Sequence, residues 1–477
     1  MTSSLDESKG KKPRDKIENR AFAVEQHGID FIPEGERTAT YPGIFFMWFG
    51  TNTVFTWVIL GAVVGSLGLS LAQGLTVIVA GNAFFTFVGF TSIAGPRAGT
   101  GMLTVSRSTF GIIGNRVPAL LSWFTAVGWT SVNIVIGTLS LVGLLDSLGV
   151  GPSTGMKVVS LLAVTGVTVT IAMWGHATIL AANTVLSFLL GLGTVVLGVF
   201  IVREADFGSM GDAPTAALSV WLVALAVMGA GPMSFVTTGA DFSRYLPADA
   251  RPAKVVVTTA LGCFVPGVFI SVLGLLASTV TDMTEPIAGI GMIVPGWFLT
   301  IYLAVVVLGT VTNNFLNTYS SGMSLLAAGI KGSRTTAVAF NTALAVATAA
   351  YVLFFHDLTD SLTAFLTLLI VWATSWCGVF LADMLLRRAH YDVRALHQAG
   401  EGPYWYTKGW NRRALGWFVL GTVASASVAY SSLWSGPLVA RLDGADLSLF
   451  AGLLVSGGGY LLHHVLRPVT APEHPRS

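Results

Sequence analysis

Charged side chains are scarce. Lys, Arg, Asp and Glu make up only 10% of the 477 residues, whereas a water-soluble chain carries about a quarter. Most of this protein therefore does not face water. Cysteine is nearly missing as well. Cys263 and Cys377 stand alone in apolar stretches, which excludes a disulfide framework and any cysteine metal spacing. The net charge of +2 leaves no basic footprint for nucleic acid. Also missing are a glycine-rich phosphate loop, an HExxH pair and paired membrane carboxylates. No catalytic constellation results, and an enzyme is not expected. The first residues, MTSSLDESKGKKPRDKIENR, are polar with no apolar core directly behind them. They are not a secretory signal and read as a short cytoplasmic tail.

What the chain has is hydrocarbon. Hydrophobic residues reach 53%, mean hydropathy is +0.72, and glycine is high at 54 residues. Abundant glycine suits membrane helices, where small residues let backbones approach. At about 20 apolar residues per crossing, twelve candidate spans emerge. They fall near 41–65, 70–93, 115–145, 154–173, 177–202, 216–239, 254–279, 295–326, 336–355, 360–386, 414–434 and 446–466. With both termini cytoplasmic, and allowing a few residues at each helix end, the inside segments hold 23 of the 26 Lys and Arg, leaving Lys157, Arg203 and Arg441 outside. That is a strong positive-inside bias. An all-α polytopic membrane protein of twelve transmembrane helices is expected, at the cell membrane. A β-barrel would show only short alternating segments. The longest loop, 387–413, reads as a basic cytoplasmic connector with aromatics at the interface.

Polar residues inside spans must find partners or line a cavity. In the first span, Gly50, Thr51, Asn52 and Thr53 interrupt a run of aromatics. A glycine beside an amide predicts a helix break whose freed carbonyls face an ion or substrate; a packing notch is the plainer alternative. In the third span, Trp129 and Asn133 are four apart and share a helix face. A flat ring beside an amide suits a planar heterocycle. In the sixth, Gly229, Gly231 and Pro232 predict an unwound helix, followed by Ser234, Thr237 and Thr238. Asp241 and Arg244 are three apart near the cytoplasmic end and read as a gate or structural latch. In the eighth, Asn313 and Asn317 share a face, while Thr312 and Asn314 point elsewhere.

Breaks in the first and sixth spans are five positions apart in span order. That is the layout of two inverted five-helix repeats around a midplane site. The expected organisation is a cytoplasmic tail (1–40), a ten-helix transport core (41–386), a cytoplasmic loop (387–413), two additional helices (414–466) and a second tail (467–477).

The stretches FGTN, GWTSVN, GPMSFVTTGADFSRYLP and TNNFLNTYSSG resemble the nucleobase:cation symport-1 family, particularly its purine–cytosine permease branch, over about residues 20–440. The resemblance implies the leucine-transporter fold, a 5+5 inverted repeat plus two helices. It also implies import of a planar heterocycle, with sodium or a proton as coupling ion and no other cofactor. Cytosine or a purine is favoured. Alternatives are allantoin, a hydantoin, a vitamin precursor or an amino acid on the same fold, and, from another class, a channel or membrane enzyme. By position, the stacking ring is Trp129 with Asn133 as its companion. Asn52 and Asn317 are the span-one and span-eight amides, and Ser234 is a small polar contact. Pro232 stands where some members carry a second aromatic, so either Phe235 or Phe46 closes the sandwich or the substrate is larger. The implied sodium positions in span eight are Leu308, Val311 and Thr312, joined by carbonyls near Gly50. Leu308 offers a carbonyl and Thr312 a hydroxyl, but Val311 has none. Proton coupling, with Asp241 as a participant, is therefore an equal alternative. Asn313 and Asn314 read as packing or gating groups. The oligomeric state is left open.

Overall fold

In the computed structural model, residues 29–173, 176–208, 215–330, 334–431 and 434–466 are described. The tails expected at 1–40 and 467–477 lie outside them, apart from 29–40. The architecture is helical throughout. Its principal elements are α1 (Tyr41–Asn52), α2 (Thr56–Ser66), α3 (Leu71–Ala83), α4 (Phe85–Ser92), α5 (Arg116–Ser147), α6 (Thr154–Met173), α7 (His176–Glu204), α8 (Leu218–Ser234), α9 (Pro252–Ala277), α10 (Gly296–Ala327), α11 (Arg334–Phe355), α12 (Leu358–Leu386), α13 (Arg412–Ser427), α14 (Ser448–Leu453) and α15 (Gly459–Leu466).

The expected count of twelve spans is corrected here. Among the described residues seven helices are long and apolar enough to cross a membrane, or eight if the bent pair α1–α2 is taken as one span. A crossing needs about 20 residues of apolar helix, and four of the expected spans offer fewer among the described residues. Within α6, α10 and α11 the described apolar stretches are Thr154–Thr170, Gly296–Val311 and Ala339–Phe355, each 17 residues or fewer. α13 ends at Ser427 after 16 residues.

Two breaks shape the interior. α1 and α2 meet at a 60° bend. The side chains of the GTNT stretch cause it by bonding their own backbone. Thr51 Oγ1 donates to Met47 O (2.9 Å), Asn52 Nδ2 to Trp48 O (3.1 Å) and Thr53 Oγ1 to Phe49 O (2.8 Å). Such side-chain bonds to the i−4 carbonyl compete with the helix ladder and bend it, and the Thr53 hydroxyl caps the Phe49 carbonyl at the helix end. In α8, Pro232 lacks the N–H that would continue the ladder. The helix passes into a 3-10 turn at Val236–Thr238 and a short helix at Gly239–Ser243. Around the breaks the helices touch through glycine. A Cβ on Gly61 would run into the Ser271 carbonyl of α9, and one on Gly274 into the Val58 carbonyl of α2. Small residues at such crossings let backbones pack closely.

Part of the 387–413 segment is anchored to the helix bundle. Tyr404 is buried, and the Tyr406 hydroxyl bonds to the Ser108 carbonyl. Beside them Asp383 is buried at the end of α12. Its Oδ2 accepts from Thr109 Oγ1 (2.8 Å) and Arg387 Nε (2.7 Å), and its Oδ1 from Tyr460 Oη (3.0 Å). One carboxylate thus ties the segment between α4 and α5 to α12 and α15. Asp383→Ala is expected to cost about 3 kcal/mol, the low end for stripping one partner from a buried ion pair, because Arg387 keeps some solvent. Tyr460→Phe, which deletes one hydrogen bond, should cost about 1 kcal/mol. Denaturant unfolding of the purified protein in detergent measures both.

Candidate functional site

The α1–α2 bend, the kinked end of α8, and the middles of α5 and α10 converge on one cavity. Thr51, Asn52, Trp57, Trp129, Asn133, Phe235, Asn313 and Asn317 are among its lining residues. α5 and α10 form the most extensive helix pair of the bundle. Gly231 completes the wall from α8. A Cβ there would press on the Trp57 ring at 2.7 Å, so glycine is what allows the kinked α8 to approach α2.

Three polar atoms at this cavity are buried with no hydrogen-bond partner among the described residues: Asn52 Oδ1, Trp129 Nε1 and Asn317 Nδ2. The Cys263 thiol interacts with the Asn52 side chain, but a thiol is a weak donor. Unpaired buried groups carry a desolvation cost of about 1–3 kcal/mol each. A ligand offering acceptors to the two N–H groups and a donor to the amide oxygen would remove that cost. The assignment of amide O and N follows the hydrogen-bond network.

Asn133 does not share this readiness. Its Nδ2 donates to Asn313 Oδ1 (2.9 Å), and Asn313 Nδ2 donates to the Thr51 carbonyl (3.3 Å). These two amides therefore link α5, α10 and the broken end of α1. Asn313 was expected to be a packing or gating residue; it also lines the cavity. Its i,i+4 spacing from Asn317 could have signalled this. Thr51 was named only as part of the break, and Trp57 was missed by sequence reasoning. The signal for both was adjacency to the break, with Trp57 one turn into the next helix.

The rings around the cavity are held in place. Phe365 meets Trp129 edge-on, with centroids 5.5 Å apart at 88°, and Gly128 leaves room for the Phe365 ring. Phe235 packs against Trp48 (5.8 Å, 88°) and Phe85 (6.2 Å). Of the two candidates for a second ring, Phe235 lines the cavity, whereas Phe46 is 68% exposed on the outer face of α1. Pro232 is buried but does not line it.

The remaining candidates lie apart. Ser234 Oγ donates to Gly231 O (2.6 Å) and faces a neighbouring cavity. The Gly50 carbonyl accepts from Ser187 Oγ of α7 (3.1 Å). Asp241 Oδ1 accepts from the Met102 amide (2.7 Å), the geometry of a latch. The Leu308 side chain is half exposed and Val311 is buried. The side chain of Thr312 lies outside the described residues, so the ion position expected at Leu308 and Thr312 has no described cage. Among the described residues no three His, Cys, Asp or Glu gather as a metal site.

The cavity is narrow. It leaves about 30 Å³ to the centre of a water-sized sphere, room for roughly two waters. A ring-sized ligand enters only if the walls move apart, and the bend of α1–α2 and the kink of α8 are the places where the walls are not continuous helix.

Residues 31–452 match the family model described as permease for cytosine/purines, uracil, thiamine, allantoin. Among curated relatives, a putative purine-cytosine permease of Bacillus subtilis is 25% identical over 453 residues, covering 93% of this chain and 96% of its own. The allantoin permease of Bacillus subtilis is 26% identical, covering 93% of each. The cytosine permease of Escherichia coli is 28% identical over 69% of this chain and 74% of its own. Among solved structures, a nucleobase-cation-symport-1 family transporter in a closed conformation with bromovinylhydantoin bound superposes with a TM-score of 0.75. It is 18% identical and covers 95% of this chain and 98% of that one. At that identity the likeness shows a shared fold.

Proposed function

We infer that this chain, which belongs to the family of permeases for cytosine/purines, uracil, thiamine and allantoin, carries a nucleobase through the cavity between α1, α5, α8 and α10. It is a multi-pass membrane transporter and not an enzyme, and its activity is secondary active transport. The observation that supports the substrate class is the pair of unpaired amide atoms, the donor Asn317 Nδ2 and the acceptor Asn52 Oδ1, beside two rings. The edge of cytosine or of a purine presents ring nitrogens or a carbonyl next to N–H groups, which pairs with that set. The faces of the base stack on Trp129 and Phe235. Base–aromatic stacking contributes about 1–3 kcal/mol per base.

Transport then follows from differential binding. A ligand shifts a conformational equilibrium only by binding one state better than another. The base draws the rings and the orphan amides together, which favours the closed state. The Asn133–Asn313–Thr51 chain carries that closure to the bend of α1. A cation that prefers the same state couples its own gradient to the base. The cation is sodium or a proton. Val311 supplies no hydroxyl where the resemblance asks for one, which weakens a sodium cage and leaves Asp241 as the carboxylate for a proton. The Lys and Arg bias supports placing both termini on the cytoplasmic side.

Uptake into proteoliposomes tests the reading. Radiolabelled cytosine, adenine, uracil and allantoin should give saturable uptake for at least one compound, driven by an inward cation gradient. Replacing sodium by choline at constant pH should abolish uptake if sodium is the coupling ion. Persistence in choline with loss on collapsing the proton gradient assigns the proton. No uptake of any of the four would reject the substrate class.

A further inference from the structure

Next to the central cavity lies a second one, slightly larger at about 50 Å³ on the same measure. The two share Thr51, Trp129, Phe235, Asn313 and Asn317 as a common wall. Beyond that wall the second cavity has its own aromatic lining. Trp48 is fully buried there and meets Phe235 at 5.8 Å and 88°, and Phe242 at 5.3 Å and 84°. Trp48 Nε1 has no hydrogen-bond partner among the described residues, although a buried indole N–H normally finds one. Hydroxyls of Ser122, Ser234, Thr237, Thr238 and Ser320 supply polar groups around these rings.

The far end is closed by a chain of hydroxyls across three elements. Ser122 Oγ and Thr237 Oγ1 are 3.1 Å apart, and Ser324 Oγ donates to Ser122 Oγ at 3.3 Å. Ser122 precedes Trp129 on α5 and Ser324 follows Asn317 on α10, each by about two turns, or roughly 10 Å along the helix. The helices run antiparallel, so both steps lead away from the central cavity to the same end of the bundle. The distance between the shared wall and the hydroxyl chain is about the length of one heterocyclic ring with its contacts.

We propose that this second cavity is a staging site for the transported heterocycle, in which the base rests against Trp48 and Phe235 after leaving the central site and before the Ser324–Ser122–Thr237 chain parts. Trp48 Nε1–H donates to a carbonyl or ring nitrogen of the base, and the hydroxyls serve its remaining edge. The proposal rests on the reading of the central cavity as a heterocycle site.

Equilibrium binding of radiolabelled cytosine, adenine and allantoin to the purified full-length protein tests it. Asn52 lines only the central cavity, and Trp48 and Thr238 line only the second. Asn52→Ala is expected to weaken binding but to leave a saturable component. Adding Trp48→Phe or Thr238→Val to Asn52→Ala should weaken that component at least tenfold. Because Trp48 is a core residue, Thr238→Val carries the test if Trp48→Phe lowers the melting temperature. If Asn52→Ala abolishes all saturable binding, or if neither second substitution alters what remains, the staging site is overturned and the central site stands. If the unmodified protein binds none of the three compounds, the proposed function fails together with it.

Discussion

Trp129→Ala is expected to weaken binding of the transported base by about 1–3 kcal/mol, roughly 5- to 150-fold in affinity, while the purified protein still unfolds in a single transition. The indole lines both cavities, so its removal takes away the largest flat surface common to the transport path. Its orientation is fixed before ligand arrives. Phe365 meets it edge-on at 5.5 Å and 88°, and edge-to-face packing of this kind contributes about 0.5–1.5 kcal/mol beyond buried area. Truncation therefore also removes a packing contact, and a fall in melting temperature of a few degrees should accompany it. Trp129→Phe separates the two roles. It keeps a ring for stacking and loses only the unpaired Nε1–H, so most of the affinity should return. Equilibrium binding and thermal unfolding of the three proteins side by side measure this. Alanine binding as tightly as tryptophan would take Trp129 out of the site.

Much of this site could be read in the sequence because its residues break local rules. A glycine beside an amide in a run of aromatics, and glycine–proline in an otherwise apolar helix, are signals of the backbone itself. The bend at α1–α2 and the 3-10 turn after α8 appear where those residues stand. The count of twelve spans did not transfer: among the described residues seven or eight apolar helices reach crossing length, and α13 ends at Ser427 after 16 residues, an end that hydropathy alone does not mark. Side-chain pairing was equally hidden. Sequence spacing put Asn313 and Asn317 on one face of α10, but only the fold shows that Asn313 is spent on Asn133 and the Thr51 carbonyl while Asn317 Nδ2 is left unpaired. Asp383 was invisible for the same reason. Its partners Thr109 and Tyr460 lie 274 and 77 residues away, and no local pattern encodes such pairings. Phe235 over Phe46 was likewise decided by which way the helix turns.

Asn317→Asp should be more damaging than Asn317→Ala, and its defect should depend on pH. Alanine removes the donor and leaves an acceptor of the base unpaired, a loss of about 1–3 kcal/mol. Aspartate keeps the size and places an oxyanion where a donor is needed. The base acceptor then faces negative charge in a site largely shut off from water, and burying an unpaired carboxylate adds its own cost. Uptake at neutral pH should fall below detection. Burial disfavours the charged form and raises a carboxyl pKa above its usual range. Lowering the pH therefore protonates the introduced acid before an exposed one, and a protonated carboxyl regains an O–H donor. Uptake by Asn317→Asp, divided by that of the unmodified protein at each pH, should rise as pH falls, whereas the same ratio for Asn317→Ala should stay flat. The normalisation matters because proton coupling would give the unmodified protein a pH dependence of its own. A flat ratio for both variants would mean that Asn317 does not donate to the substrate.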